Sequence, residues 1–210
     1  MSEKKNNKTF WNRYARLYDW EITKFSDAAY RQMYTLMAAA LSKDMKVLEI
    51  ATGTGLIALN IAPFAASVDA IDFSPKMIEQ AKKKAAPSNV RFSVEDATDL
   101  TFAQSSFDAV IISNALHIMP QPELVLENIR RVLKPGGLLI APVFSHGHLR
   151  DSGRKLNARL LKLIGFETYS KWQPEEYVAF INANGFQVKQ WQLLKAAFPL
   201  VYLEAAAEEK

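Results

Sequence analysis

From Lys46 onward the chain alternates strand-like and helix-like runs, and that alternation restricts its fold more than any other feature. "KVLEI" is a short buried strand, and "LIALNIAPF", behind the glycine turn that follows it, reads as a helix. "SVDAID" is the next strand. "SPKMIEQAKKKAA" opens a helix with Ser74 as N-cap and Pro75 at the first helical position. "VRFSV" and "FDAVIIS" are strands, the second a nearly continuous apolar run of the kind covered on both faces. "PELVLENIRRVL" sets Leu124, Leu126, Ile129, Val132 and Leu133 largely on one side, "KPGG" ends that helix, and "LLIAPVF" follows as another buried strand. This order implies an α/β fold, doubly wound, with a parallel sheet and right-handed crossovers.

The two ends depart from that repeat. Residues 1–45 precede the first strand and include the helical "DAAYRQMYTLMAAAL". At the other end "GFQVKQWQLLKAAFPLVYLEAAA" has almost no room for a helix between its two strands, so an antiparallel pair is expected. Two helical runs come before it, "RDSGRKLNARLLKLIGF" and "PEEYVAFINANGF", the second with Pro174 at its start and Gly185 after its end. No internal repeat or linker divides the chain. One domain over residues 1–210 is expected, with 1–45 as an N-terminal helical lid, 46–144 as a cofactor-binding core, and 145–210 as substrate-side helices plus a terminal hairpin.

Composition closes several routes. The chain has 210 residues, 49% of them hydrophobic, enough for one substantial core. Cysteine is absent, which removes disulfides, thiolate nucleophiles and cysteine metal sites. The polar "MSEKKNNKTF" lacks the apolar core of a secretory signal, and no apolar run reaches the length of a membrane-spanning helix; a cytoplasmic enzyme is expected. The net charge of +4 comes from dispersed Lys and Arg, with small clusters at Lys4, Lys5, Lys8 and at Lys82-Lys83-Lys84, and nucleic-acid binding is not expected from it.

In open α/β sheets the ligand sits beyond the carboxyl ends of the strands, near the point where strand order reverses. The first strand ends at Glu49 and the loop "ATGTG", the second at Asp72 followed by Phe73. The third ends at Glu95-Asp96-Ala97, and the fourth at Ser113-Asn114 with His117 close behind. Gly53-Thr54-Gly55-Leu56-Ile57-Ala58 fits a dinucleotide-binding turn, so an NAD(P)-dependent oxidoreductase is one reading. A pyrophosphate, however, gains nothing from carboxylates after three successive strands. S-adenosylmethionine has no phosphate; its sulfonium, ammonium, ribose diol and adenine amino group all suit carboxylates. Asp72 fits either ligand, whereas Glu49 and Asp96 favour the second.

The motifs "VLEIATGTG", "VDAIDFSPKMIEQA", "FSVEDATDLTF" with "FDAVIISNALH", and "RVLKPGGLLI" resemble, in order and spacing, the class I S-adenosylmethionine-dependent methyltransferases of the small-molecule branch. The nearest-looking relatives are the quinone-biosynthesis methyltransferases and the soluble phosphatidylethanolamine N-methyltransferases. The resemblance implies a mostly parallel seven-stranded sheet whose last strand is antiparallel. It also implies S-adenosyl-L-methionine as cofactor, S-adenosyl-L-homocysteine as product, and transfer by direct displacement. By that likeness Glu49 and the loop Ala51, Thr52, Gly53 and Gly55 face the methionine part. Asp72 holds the ribose, Phe73 and Met77 flank the adenine, Asp96 with Ala97 binds its polar edge, and Asn114 completes the set. Ala51 departs from the family, which has its first loop glycine there; the methyl narrows the cofactor's approach. A non-catalytic S-adenosylmethionine-binding module is a further alternative.

His117 lies where substrate-side groups lie in this fold, as a general base or as a loop residue. His146 and His148 flank Gly147 without a convergent carboxylate, so no metal is expected. "FWNRYARLYDW" puts Phe10, Tyr14, Leu17 and Tyr18 on one helical face, and similar enzymes carry a Y-x-x-x-Y-D lid there; Tyr14 and Tyr18 are accordingly placed over the cofactor. Packing on the domain and contact with a membrane surface are its other readings. Asn114-Ala115-Leu116-His117 is not the signature of base-amino methyltransferases, and without cysteine pyrimidine C5 chemistry is closed. A small-molecule acceptor remains, lipid-like or quinone-like, while its nucleophilic atom and the oligomeric state stay open.

Overall fold

A computed structural model describes residues 2–16, 18–20, 27–144, 168–194 and 199–208. Helix α1 covers Ser2–Tyr14, helical backbone resumes at residues 18–20, and α2 covers Asp27–Ala40. The expected aromatic helix is therefore longer upstream and breaks after Tyr14, and Tyr18 stands beyond the break. The core follows as β1 (Lys46–Ile50), α3 (Leu56–Ile61), β2 (Ser67–Asp72), α4 (Pro75–Lys82), β3 (Val90–Val94), β4 (Phe107–Ile112), α5 (Pro122–Val132) and β5 (Leu133–Ile140). After β6 (Val143–Phe144) come α6 (Pro174–Ala183), β7 (Phe186–Leu194) and β8 (Leu200–Ala207). The helix expected at residues 150–166, and His146 and His148, lie outside the described residues.

The sheet runs β3-β2-β1-β4-β5-β8-β6, with β7 on the other side of β8. Strands β1 to β5 pair in parallel, and β8 is antiparallel to β5, β6 and β7. Strand order reverses between β1 and β4, so the connections leave those two strands toward opposite faces and open a crevice above their ends. One face packs α2 and α3 through Met33, Met37, Ile57 and Ile61; the other packs α5 and α6 through Leu126, Ile129, Tyr177 and Ile181. Each such side chain is worth about 1.5–3 kcal/mol when fully buried.

Two local features differ from the expected pattern. "KPGG" does not cap α5, which stops at Val132. Leu133 already pairs with Phe107 and Leu138 with Ala109, so the residues between bulge out of the β5 ladder. The run "LLIAPVF" is not one strand either. Pro142 interrupts it, and β5 and β6 are two pieces lying along the same side of β8, which makes eight paired segments from the seven expected strands.

The interruption releases two carbonyls from the ladder, and each finds a donor. The Tyr177 hydroxyl donates to Ala141 O at 2.9 Å, and Asn114 N–H donates to Pro142 O at 2.8 Å. Tyr177 is fully buried, and burial raises its hydroxyl pKa far above the ordinary value, so it remains a donor. Tyr177→Phe should cost about 1–3 kcal/mol by leaving a buried carbonyl unpaired. Urea denaturation with an unchanged m-value is the measurement that checks it.

Candidate functional site

The loop after β1 is built from inside. Glu49 is 1% exposed and points beneath the loop, where its Oε2 accepts the Thr52 hydroxyl at 2.6 Å. Thr52 N–H donates to Ile71 O at 2.9 Å, extending the β1–β2 pairing past the strand ends. Ala51 has φ 57° and Gly53 φ 57°, so the chain crosses left-handed backbone twice in three residues. At Gly55 (φ 79°) an added Cβ would lie 2.7 Å from the Phe92 ring. That glycine serves the packing of β3 against the loop, not the approach of a ligand.

Asp72, at the end of β2, is 6% exposed. Its Oδ2 accepts Gly53 N–H at 2.9 Å and its Oδ1 accepts Ser74 N–H at 2.8 Å. One carboxylate thus joins the glycine loop to the start of α4 and retains lone pairs for a ligand. Ser74 caps α4 by accepting Met77 N–H at 3.2 Å. Its own hydroxyl donates to Asn12 Oδ1 of α1 at 2.7 Å.

The segment before β1 closes over these elements. Asp19 pairs with Lys84 at 2.7 Å and receives the Thr54 hydroxyl, while Lys84 also reaches Thr54 O at 2.7 Å. Phe10 and Tyr14 stack at 5.4 Å; Trp11 meets Tyr14 edge-on at 6.0 Å and Tyr18 at 6.1 Å. A Cβ added to Gly53 would meet the Tyr18 ring at 3.7 Å, so Tyr18 lies directly over the glycine loop. Burial is the largest cause of the raised pKa of the Tyr18 hydroxyl, and the nearby hydroxyl of Tyr30 in α2 comes next.

Together these pieces enclose a cleft of about 920 Å³, counting its open mouth, above the ends of β1 to β4. Of the residues singled out in the sequence, Tyr18, Ala51, Gly53, Asp72 and Phe73 line it, as do Met77, Asp96, Ala97 and Asn114. Tyr14, Glu49, Thr52 and Gly55 do not; they support the wall from behind. His117 is not on the wall either. It is 6% exposed, its ring meets Phe144 edge-on at 6.5 Å, and its carbonyl accepts the Tyr169 and Ser170 N–H groups at 2.9 and 3.1 Å.

Sequence reasoning passed over Trp11 and the stretch Ala115, Ile118, Met119 and Pro120 and gave Glu95 no role, yet all of them line the cleft. Trp11 had a signal, since positions 11, 14 and 18 share a helical stripe. Glu95 was visible as a strand-end acid beside Asp96. The apolar stretch carries no polar mark that could single it out. Asp96 Oδ1 is braced by Thr98 N–H and hydroxyl at 2.9 and 2.7 Å, and Glu95 Oε2 accepts the Thr101 hydroxyl at 3.2 Å.

Three carboxylates, Asp72, Glu95 and Asp96, line the cleft, and no Lys or Arg does among the described residues. Such a lining rejects a pyrophosphate and fits a cation with a ribose diol. Burial raises Glu49 to about 7, offset in part by the Thr52 hydroxyl and the Ala58 N–H and reinforced by the charge of Asp72. Burial likewise raises Asp72 to about 6, against the Ser74 and Gly53 N–H groups. No group of three potential ligands for a metal ion occurs among the described residues.

Residues 47–137 match the family model of a methyltransferase domain. The chain is 37% identical over 156 residues to the ubiquinone/menaquinone biosynthesis C-methyltransferase UbiE of Geotalea daltonii, covering 68% of this chain and 66% of that protein. It is 40% identical over 112 residues to the demethylmenaquinone methyltransferase of Clavibacter sepedonicus, covering 53% of this chain and 46% of the relative. The matches therefore span less than two thirds of either relative's length. Among solved structures, the complex of DhpI with SAH superposes with a TM-score of 0.79 at 21% identity, over 99% of this chain and 98% of that one, a likeness of fold. The matched domain, the strand order with antiparallel β8, and the strand-end carboxylates agree: the chain carries a class I S-adenosylmethionine-dependent methyltransferase domain.

Proposed function

We propose that this chain transfers a methyl group from S-adenosylmethionine to a small, apolar, quinone-like acceptor. The observation that carries the reading is a cleft lined by Asp72, Glu95 and Asp96 and by no cation among the described residues. S-adenosylmethionine supplies, when bound, a methyl group on a sulfonium that an acceptor can displace. In this reading Asp72 accepts the ribose hydroxyls, Phe73 and Met77 sandwich the adenine, and Asp96 with Ala97 meets its polar edge. Ala51 and Gly53 border the methionine part, on a loop shaped from below by Glu49, Thr52 and Gly55. Ala115, Ile118, Met119 and Pro120 offer the acceptor an apolar wall, in keeping with relatives named for quinone and menaquinone methylation.

Residues 2–16 and 18–20 act as a strap over a single catalytic domain, with Trp11 and Tyr18 facing the ligand and Tyr14 packed against both. Closure excludes water and orders the reactants, and positioning supplies most of the catalysis. A lipid-soluble acceptor would bring the protein to a membrane surface, and Trp20, 61% exposed at the end of the strap, is placed to touch one.

Calorimetry should give binding of S-adenosylmethionine or S-adenosylhomocysteine and no comparable heat with NADH. Asp72→Ala should weaken that binding by about 1–3 kcal/mol. Tight NADH binding without S-adenosylmethionine binding would overturn the reading.

The strap makes a separate forecast. Asp19→Ala removes the Lys84 pair and the Thr54 contact, one half-exposed and one buried at Thr54. Release of S-adenosylhomocysteine, followed by stopped-flow Trp fluorescence, should quicken by roughly 10-fold or more, the worth of one hydrogen bond to a charged carboxylate plus a weak surface pair. An unchanged release rate would reduce the strap to packing.

Burial of Glu49 sets a pH dependence. Its folded pKa of about 7 stands above the ordinary 4.5, so the native state binds this proton more tightly than the unfolded chain does. The stabilisation is complete below pH ~4.5 and is lost as pH rises through ~7, about 3 kcal/mol in all. Apoprotein stability by urea denaturation should therefore fall between pH 5 and pH 8, and Glu49→Gln should flatten the slope. Affinity for the cationic cofactor should move the other way, rising over the same interval as Glu49 and Asp72 ionise.

A further inference from the structure

The amide of Asn114 is held on two sides and unfulfilled on a third. Its backbone adopts φ 52°, with its N–H on Pro142 O at 2.8 Å, so the strand break at Pro142 fixes where the side chain begins. Nδ2 then donates to the Tyr30 hydroxyl at 3.2 Å. Tyr30 is 5% exposed. At the other end, Oδ1 is buried with no hydrogen-bond partner. Turning the amide over would not cure this, since Nδ2 would then take the unpartnered place. A buried acceptor left unmade costs about 1–3 kcal/mol, a cost expected to be met where a ligand supplies the donor.

The sheet order indicates which ligand. β4 lies on the opposite side of β1 from β2 and β3, so Asn114 stands across the glycine loop from the carboxylates Asp72, Glu95 and Asp96. Its neighbours on the cleft wall are Ala115, Ile118 and Met119. A neutral amide oxygen beside an apolar wall suits a hydroxyl on an aromatic ring better than a cation, which the carboxylates serve.

We propose that Asn114 Oδ1 accepts the hydroxyl hydrogen of a hydroquinone-type acceptor, and that Tyr30 orients the amide for it. Asn114 is then an acceptor-specificity residue, in place of the cofactor role expected from sequence, and Tyr30 is a positioning residue. The inference rests on the methyl-transfer reading above.

Asn114→Gly removes the amide and tolerates the left-handed backbone; Tyr30→Phe removes only the orienting hydroxyl and serves if the first variant folds poorly. The full chain is assayed with labelled S-adenosylmethionine and 1,4-naphthohydroquinone kept reduced, alongside calorimetry with S-adenosylhomocysteine. Asn114→Gly should raise the hydroquinone KM by about 10- to 30-fold, the scale of one lost hydrogen bond left partly unsatisfied, with S-adenosylhomocysteine affinity within about threefold of the parent. Tyr30→Phe should raise that KM less, also without loss of cofactor affinity. Weakened S-adenosylhomocysteine binding at constant hydroquinone KM would make Asn114 a cofactor ligand and overturn the inference, as would two variants kinetically equal to the parent. A parent protein that binds S-adenosylhomocysteine yet methylates no hydroquinone would overturn the acceptor reading first, and this inference with it.

Discussion

The carboxylate of Asp72 is the junction on which the site depends. It is fixed by β2, and through two backbone N–H groups it fixes the glycine loop on one side and the first turn of α4 on the other. Ser74, placed by the same bond, passes the connection on to Asn12 and so to α1. Loop, helix and strap thereby take their positions from one side chain at the end of one strand. The two N–H bonds lower the cost of holding a charge at that depth without removing it, and Asp72 remains above its ordinary range. A site poised in this way gains most from a ligand carrying positive charge.

The strand break at Pro142 plays the corresponding part on the other side of β1. A proline in a buried strand forfeits a ladder bond. Here the freed carbonyls are taken by Tyr177 and Asn114, one anchoring α6 and the other fixing the loop just beyond β4. The irregularity is thus satisfied on both sides, and it joins the packing of the terminal half of the chain to the geometry of the cleft.

Much of this was legible in the sequence, because the fold rests on periodicity and on punctuation that a chain displays openly. Ser74-Pro75, Pro174 and Gly185 mark helix ends as their backbone requirements dictate, and the strands from "KVLEI" to "FDAVIIS" fall where their apolar runs do. Strand ends named most of the polar wall for the same reason. What could not be read was direction. Glu49 and Asp72 both end a parallel strand as acids, yet one turns beneath the loop and the other into the cleft. His117 sits on a short 3₁₀ turn that carries its ring inward, and such a turn leaves no periodic trace. The Pro142 break was hidden inside an apolar run, and the apolar acceptor wall has no chemistry to announce it.

The glycine loop has a consequence for how much sequence drift each of its positions can absorb. Gly55 is closed to any side chain by the ring of Phe92, so a change there would require a second change across the sheet. Gly53 has room beside Tyr18 and is restrained by its backbone angle alone. The first position carries Ala51, which bears the same left-handed angle with a methyl group in place. Three places that a motif writes as equal are therefore unequal, and the one facing away from the ligand is the least free to vary.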